Sequence, residues 1–311
     1  MVQKLTPLDQ RLSARRTRLA DAVVARLEAE RLAAVTAYTV FLALRAVLRD
    51  DDRPRLYLRS GNQPVPYLSR VIANLVDTGG LLRDRDYTRG VYRVSSLGEV
   101  SAEEVCALVN PLGYVSHLSA MQRWGITDRR PEALHLTMPS AAVARSLVQD
   151  RMALDYGRRF DEIPADEAVK LVLIDHPPIV RGRNLAIGHT KHPGQWVQIS
   201  GEHVRLATIG QTFLDMIETP QQCGGMAHVV EAWRQRAPDF LSDIVAAIES
   251  HGTPIAKVRG GYLLDEMLGL GEDLRIQGWQ RFAQRGGSRV LDPAKDFSPE
   301  HSTKWMLSLN V

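Results

Sequence analysis

Pro64-Val65-Pro66 cannot continue a helix from upstream, because ring-locked residues lack the N–H that a helix interior requires, yet they are well placed to start one. Tyr67 to Thr78 follows with Leu68, Val71, Ile72 and Leu75 on one face, and Gly79-Gly80 stops it. Leu81 to Val94 then reads as two strands around a charged tip. On a helical projection Gln63, Tyr67, Arg70 and Asn74 cluster away from the apolar stripe, side chains suited to reading bases and binding phosphates. Arg83, Arg85, Arg89 and Arg93 stand on the hairpin. Helix, glycine stop, then Arg-bearing hairpin is the order of a winged helix-turn-helix, with the helix for the major groove of double-stranded DNA and the hairpin for the adjacent backbone or minor groove. Two other readings stay open: an ordinary helix and hairpin with charged solvent faces, and a winged helix used for protein interaction.

Upstream, Leu19, Val23 and Leu27, then Val40, Leu44 and Leu48, recur at helical spacing, which predicts one or two amphipathic helices over 19–48. Arg55 to Arg59 is a strand candidate closed by the turn-forming Ser60-Gly61-Asn62. The charge balance changes near Ser95-Ser96. Residues 1–95 carry 17 Lys+Arg, 16 of them arginine, against 10 Asp+Glu, whereas residues 96–311 carry 22 against 26. The expected division is therefore a basic 1–95 DNA-binding domain, opening with a basic arm, and a mildly acidic 96–311 domain. The stretch from Ala33 to Leu48 is interrupted by Arg45 and is too short for the roughly 20 apolar residues of a membrane span. No signal peptide is visible, and Cys106 and Cys223 show no Cys-x-x-Cys spacing, so the expected location is the cytoplasm, with no membrane partner.

In the larger part, helices are expected at 102–109, 115–124, 140–156, 210–218, 225–234, 240–250 and 255–268. Strands are expected at 133–137, 168–174, 184–188, 196–200, 204–207 and 305–309, with 196–200 and 204–207 joined through Gly201 as a hairpin. This order is not a βαβ alternation, so the fold class is α+β.

Catalytic patterns are thin. His189, His192 and His203 bracket a strand region, and His189-x-x-His192 with Asp175 or Glu202 could be drawn as a metal site, but no second motif supports the spacing and Gly188, Pro193 and Gly194 read as loop. Glu167-Ala168-Val169-Lys170 has one residue too many for the Glu-x-Lys of a metal nuclease, and Asp175 lacks the paired carboxylate and lysine of two-metal hydrolysis. Neither Gly-x-Ser-x-Gly nor Gly-x-Gly-x-x-Gly occurs. No enzyme, cofactor or metal is expected. Gly224-Gly225 before a helix is read as a turn, Thr212 and Asp215 as one face with a capping and buried polar role, and Arg259 as one half of an ion pair with Asp265, Glu266 or Asp215.

Four blocks carry a family resemblance. Tyr114-Val115-Ser116-His117-Leu118-Ser119-Ala120 with Trp124-Gly125-Ile126-Thr127-Asp128 is the first, and Thr212-Phe213-Leu214-Asp215-Met216 with Pro220 and Cys223-Gly224-Gly225 the second. Arg259-Gly260-Gly261-Tyr262-Leu263-Leu264 with Leu268-Gly269 is the third, and Arg89-Gly90-Val91-Tyr92 on the hairpin the fourth. Together they resemble the AbiEi-type antitoxins of type IV abortive-infection toxin-antitoxin systems, also transcriptional regulators of phage-defence loci. Gln211 departs from the pattern, standing where the family usually has arginine, and residues 1–35 and 150–167 have no counterpart. The resemblance implies an autorepressing, operator-binding antitoxin that counteracts a co-encoded nucleotidyltransferase-like toxin, often without a stable complex. It marks Ser116, Ser119, Thr127, Asp128, Thr212, Asp215, Gly224, Gly225, Arg259 and Tyr262 as antitoxin-domain residues. The alternative is a stand-alone regulator whose larger domain binds a protein or a small ligand.

Overall fold

The structure, a computed structural model, describes residues 15–50, 63–284 and 289–311. Most of the arm and the 55–59 strand candidate lie outside them. The architecture is mixed α+β, and the chain divides into two compact units: residues up to Gly113 with Pro139–Asn184, and Tyr114–Met138 with Leu185–Val311. The compact units thus run past the charge boundary at Ser95-Ser96 and exchange a segment.

The first unit opens with α1 (Arg18–Ala29), whose N-cap Thr17 accepts a hydrogen bond from the Ala20 N–H. The apolar spacing over 19–48 is not one continuous helix. It is interrupted by β1 (Ala34–Thr36), a wholly buried strand that Arg31, in the left-handed region at φ 55°, turns the chain to enter. Thr36 then starts α2 (Ala37–Arg49) through a capping box with Thr39. One side of α2 places Val40, Ala43, Leu44, Val47 and Leu48 in a core with α1 and with α3 (Val65–Asp77). Its other side places Tyr38 and Phe41 in a second core with Val148, Met152 and Tyr156 of α6 (Ala141–Tyr156). After α3, β2 (Leu81–Arg83) and β3 (Val91–Val94) form a hairpin, with Leu81 opposite Val94 and Arg83 opposite Tyr92. β1 adds antiparallel to β3, giving a three-stranded sheet ordered β1-β3-β2. α4 (Ala102–Val109) follows, capped by Ser101.

The strand expected at 168–174 does not form. The chain there is extended, but its backbone is satisfied by side chains rather than a ladder: the Tyr156 hydroxyl bonds both the N–H and the carbonyl of Val169, the Leu171 N–H meets the Met152 sulfur, and the Asn110 amide donates to the Ile174 carbonyl. Beyond it, β6 (Ile179–Val180) and the start of β7 (Arg183–Thr190) make a hairpin that the sequence reading did not anticipate.

In the second unit β4 (Tyr114–Val115) pairs antiparallel with β5 (Ala133–Pro139) and parallel with β9 (Arg205–Ala207), while β8 (Trp196–Gln198) closes the β9 side as an antiparallel edge and β7 continues beside β5. The Gly201 hairpin between β8 and β9 forms as expected, with Gly201 at φ 78°. α5 (His117–Arg123) follows β4 directly. The main core is helical: α7 (Ile209–Glu218), α8 (Met226–Arg236), α9 (Leu241–His251) and α10 (Pro254–Tyr262) gather Phe213, Ile217, Trp233, Ile244, Ile248 and Val258 with Trp279 and Trp305. The helix expected to reach Leu268 leaves α-geometry at Leu263, where a π-helical turn, Leu263–Met267, begins. α11 (Leu274–Trp279) follows, and the expected 305–309 strand shrinks to β11 (Leu307–Ser308), paired with β10 (His301–Ser302), Trp305 lying in the turn between them.

Candidate functional site

The first candidate surface lies on α3 and the β2–β3 hairpin. Pro64 caps α3 and Tyr67, Val71 and Leu75 are buried, because α3 packs against both α1 and α2 and its apolar face widens to serve both. The solvent face is consequently rotated from the projected one. Tyr67, only 7% exposed, is a core residue rather than a base reader. Asn74 is committed within the unit: its side-chain oxygen accepts from the Thr17 N–H at 3.0 Å and its nitrogen donates to the Arg15 carbonyl at 3.5 Å, so it ties down the chain entering α1. Gln63 and Arg70 are exposed.

The hairpin arginines divide into two pairs. Arg85 and Arg93 share Glu99, at 3.1 and 3.6 Å. Arg83 and Arg89 are exposed and, like Arg70, have no carboxylate partner among the described residues. An exposed guanidinium without an internal partner is free to form a bidentate bond with phosphate or with guanine.

The second candidate cluster is in the other unit, around β4 and α5. Ser116 accepts from the Thr137 hydroxyl at 2.8 Å and is hydrogen-bonded to His117 Nδ1 at 2.7 Å, with the donor set by the histidine tautomer. Ser119 accepts from the His135 N–H at 3.0 Å. Asp215 receives the Gln211 amide at 2.8 Å and the backbone N–H of His117, while its second oxygen has no partner among the described residues. Burial pushes the Asp215 carboxyl up to about 7, against these two hydrogen bonds, and holds the His117 imidazole down to about 4, with His135 adding to the effect. Burial also pushes the Tyr114 hydroxyl up to about 12. Although serine, histidine and aspartate meet here, Ser116 is 0% exposed and Asp215 touches the backbone of His117 rather than its ring. The arrangement is a closed polar network, not a nucleophile open to substrate.

The other motif residues do not join this cluster. Thr212 donates to the Thr208 carbonyl at 2.9 Å. The Arg259 guanidinium, read from sequence as half of an ion pair, instead donates to the carbonyls of Ile217 at 2.8 Å and Val290 at 3.1 Å, while Asp265 pairs with Lys304. Thr127 accepts from the Arg129 N–H, and Arg129 reaches the Gly224 carbonyl. Gly224 and Gly225 both sit at φ 89°, and the Gly225 N–H is bonded to the Pro220 carbonyl at 2.8 Å, which removes it as an anion ligand. Asp128 is exposed and Tyr262 half-buried. Among the described residues no group of three His, Cys, Asp or Glu could hold a metal ion, and no helix is long and apolar enough to cross a membrane.

Arg181 was missed by the sequence reading. It lies in the β6–β7 turn, and its one visible signal is the Arg-Gly pair at 181–182 between short apolar and polar runs.

No family model matches this chain, and neither does any curated protein. Among solved structures, the crystal structure of the RV2827C protein from Mycobacterium tuberculosis is similar, at 15% identity and a TM-score of 0.46, with 95% of this chain and 92% of that chain covered.

Proposed function

We propose that the chain is a double-stranded-DNA-binding antitoxin that represses its own promoter: its first unit a winged helix-turn-helix, its second counteracting a nucleotidyltransferase-like toxin. The observation that carries the DNA part is the element order helix, strand, helix, helix, strand, strand over 18–94 with a β1-β3-β2 sheet, which is the winged-helix order. It is supported by Arg70 on α3 and Arg83 and Arg89 on the hairpin, which are exposed and have no carboxylate partner among the described residues. In this reading Gln63 and Arg70 face the major groove, Arg83 and Arg89 face backbone phosphates, and Tyr67 and Asn74 hold the helix in place. The antitoxin part rests on the four motif blocks, two of which contribute Ser116, Ser119 and Asp215 to one buried network.

The test is a salt-titrated binding assay of the full chain against its own upstream promoter duplex, with a scrambled duplex as control. Selective binding is expected, with Arg70→Ala lowering the slope of log affinity against log salt by about 1. Equal affinity for both duplexes would reject operator recognition. Relief of growth arrest on co-expression with the product of an adjacent nucleotidyltransferase-like gene tests the antitoxin part, and no relief would reject it.

One observation favours the stand-alone regulator instead: a cleft of about 430 Å³ in the second unit, lined by Asp265, Glu272, Gln277, Gln280 and Lys304, is large enough for a small polar ligand.

A further inference from the structure

The tip of the β2–β3 hairpin is fastened by a residue 95 to 97 positions further along the chain, in the same unit. Val180 and Arg183 pair across a two-residue turn in which Arg181 (φ 50°) and Gly182 (φ 74°) are both left-handed, the geometry of a type I′ hairpin. The first such position favours Asn, Asp or Gly, and a long side chain there is strained. Here that side chain is used. The Arg181 guanidinium, 8% exposed, forks onto the fully buried Asp84 carboxylate, one arm at 3.1 Å and the other at 2.5 Å. It also meets Asp86, which accepts the Arg181 backbone N–H at 2.9 Å. Two further contacts come from the same side. The Tyr87 hydroxyl lies 2.8 Å from His176 Nδ1, and Gly90, at φ 78°, sits so close to Ile174 that a Cβ would approach its Cδ1 to 3.2 Å.

Resting on the DNA-binding reading above, we propose that Arg181 is a positioning residue for DNA: it fixes the hairpin tip in one conformation and offsets one of the two negative charges of Asp84 and Asp86, so that Arg83 and Arg89 meet the phosphate backbone. The charge argument is direct. The hairpin alternates Arg83, Asp84, Arg85, Asp86, and both carboxylates would otherwise repel the phosphates the arginines attract. The conformational argument is the more specific one. A buried ion pair whose guanidinium Nε has no partner among the described residues is an inefficient way to gain stability, whereas several directed bonds onto one loop define a single loop geometry.

The experiment uses the full chain and the promoter duplex, and compares salt slopes for four proteins. Arg83→Ala/Arg89→Ala measures the hairpin's own share, a slope reduction of about 2 for two phosphate contacts. Asp86→Ala is the discriminating variant. It removes an acidic group from the DNA-facing hairpin, so electrostatics alone raises affinity; the positioning role requires the opposite, lower affinity with a slope reduced toward that of the double variant. Asp84 still holds the Arg181 guanidinium in this variant, so the fold is retained, and faster amide hydrogen exchange confined to 84–90 is expected. Arg181→Lys keeps one positive charge but loses the fork, and should shift slope and exchange the same way. Wild-type slope and affinity in both Asp86→Ala and Arg181→Lys would overturn the positioning role while leaving DNA binding intact. A wild-type chain that binds no duplex, or a double variant that binds normally, would overturn the underlying reading and this inference with it.

Discussion

Asp215 and His117 show how two buried groups can hide one another's titration. The unfolded chain holds the Asp215 carboxyl near 3.8 and the folded one near 7, so the proton is bound more tightly in the folded state. The stability this contributes is complete below about pH 4 and is lost as pH rises through about 7, a span of about 4 kcal/mol at most. His117 runs the other way. Its folded value lies near 4 against 6.5 unfolded, so its contribution is complete above about pH 6.5 and is lost as pH falls through 4, about 3 kcal/mol at most. Between these limits the two slopes oppose and nearly cancel. Asp215→Asn, which retains an acceptor for Gln211, should therefore make the denaturation midpoint rise with pH between about 4 and 6.5. His117→Asn should make it fall between about 4 and 7, and the double variant should be flat. Midpoints from urea melts across that range check this, and a single variant with the wild-type profile would show that its group is not buried as described.

At the scale of elements, α3 shows what the amino-acid pattern reveals and what it leaves out. Its start, its end and its amphipathic character were all legible, because Pro64, Pro66, Gly79 and Gly80 act locally and Leu68, Val71, Ile72 and Leu75 set a stripe. Which edge of that stripe goes inward is decided by the partners. With α1 and α2 both packed on it, Tyr67 turns into the core and Asn74 becomes the tether of α1. β1 and the extended 168–174 segment departed from expectation in opposite ways: three residues carry too little periodicity to show a strand, whereas Val169 and Leu171 alternate like a strand while bonding to Tyr156 and Met152. Arg259 was read as half of an ion pair and is partnered by carbonyls instead, because a carbonyl at a helix end has no signature in sequence. The tether gives a prediction that separates structure from recognition. Asn74→Ala should cost about 1 kcal/mol of stability, the value of a lost hydrogen bond, and leave promoter selectivity unchanged. Loss of selectivity at full stability would return Asn74 to the reading face.

For the whole molecule, the basic N-terminal block is not a self-sufficient body. Counted by compact units rather than by the 95/96 cut, the first holds 24 Lys+Arg against 20 Asp+Glu and the second 15 against 16, so the charge contrast seen in sequence is diluted by Glu99, Glu103 and Glu104, while the segment 139–184 is neutral, 7 against 7. What that segment brings is cover. Phe41, 0% exposed, packs with Val148, Met152 and Tyr156; the Tyr38 hydroxyl donates to Asp155 at 2.9 Å; and the Arg45 guanidinium donates to the carbonyls of Asp155 and Tyr156 at 3.1 and 3.3 Å. A fragment ending at Ser95 uncovers that whole side of α2 and also loses Arg181 beneath the hairpin. Exposing Tyr38 and Phe41 forfeits roughly 2 kcal/mol each, a large part of the 5–15 kcal/mol that holds a typical domain together. Residues 1–95 alone should therefore bind a hydrophobic dye, melt without a cooperative transition and show only weak, unselective DNA binding, whereas the full chain should melt cooperatively and, on the proposed DNA-binding function, select its promoter. If the fragment instead melts cooperatively and keeps the full salt slope and selectivity, the DNA-binding surface needs neither the second core of α2 nor the Arg181 fastening, and its geometry is set by α1, α2, α3 and the β1-β3-β2 sheet alone.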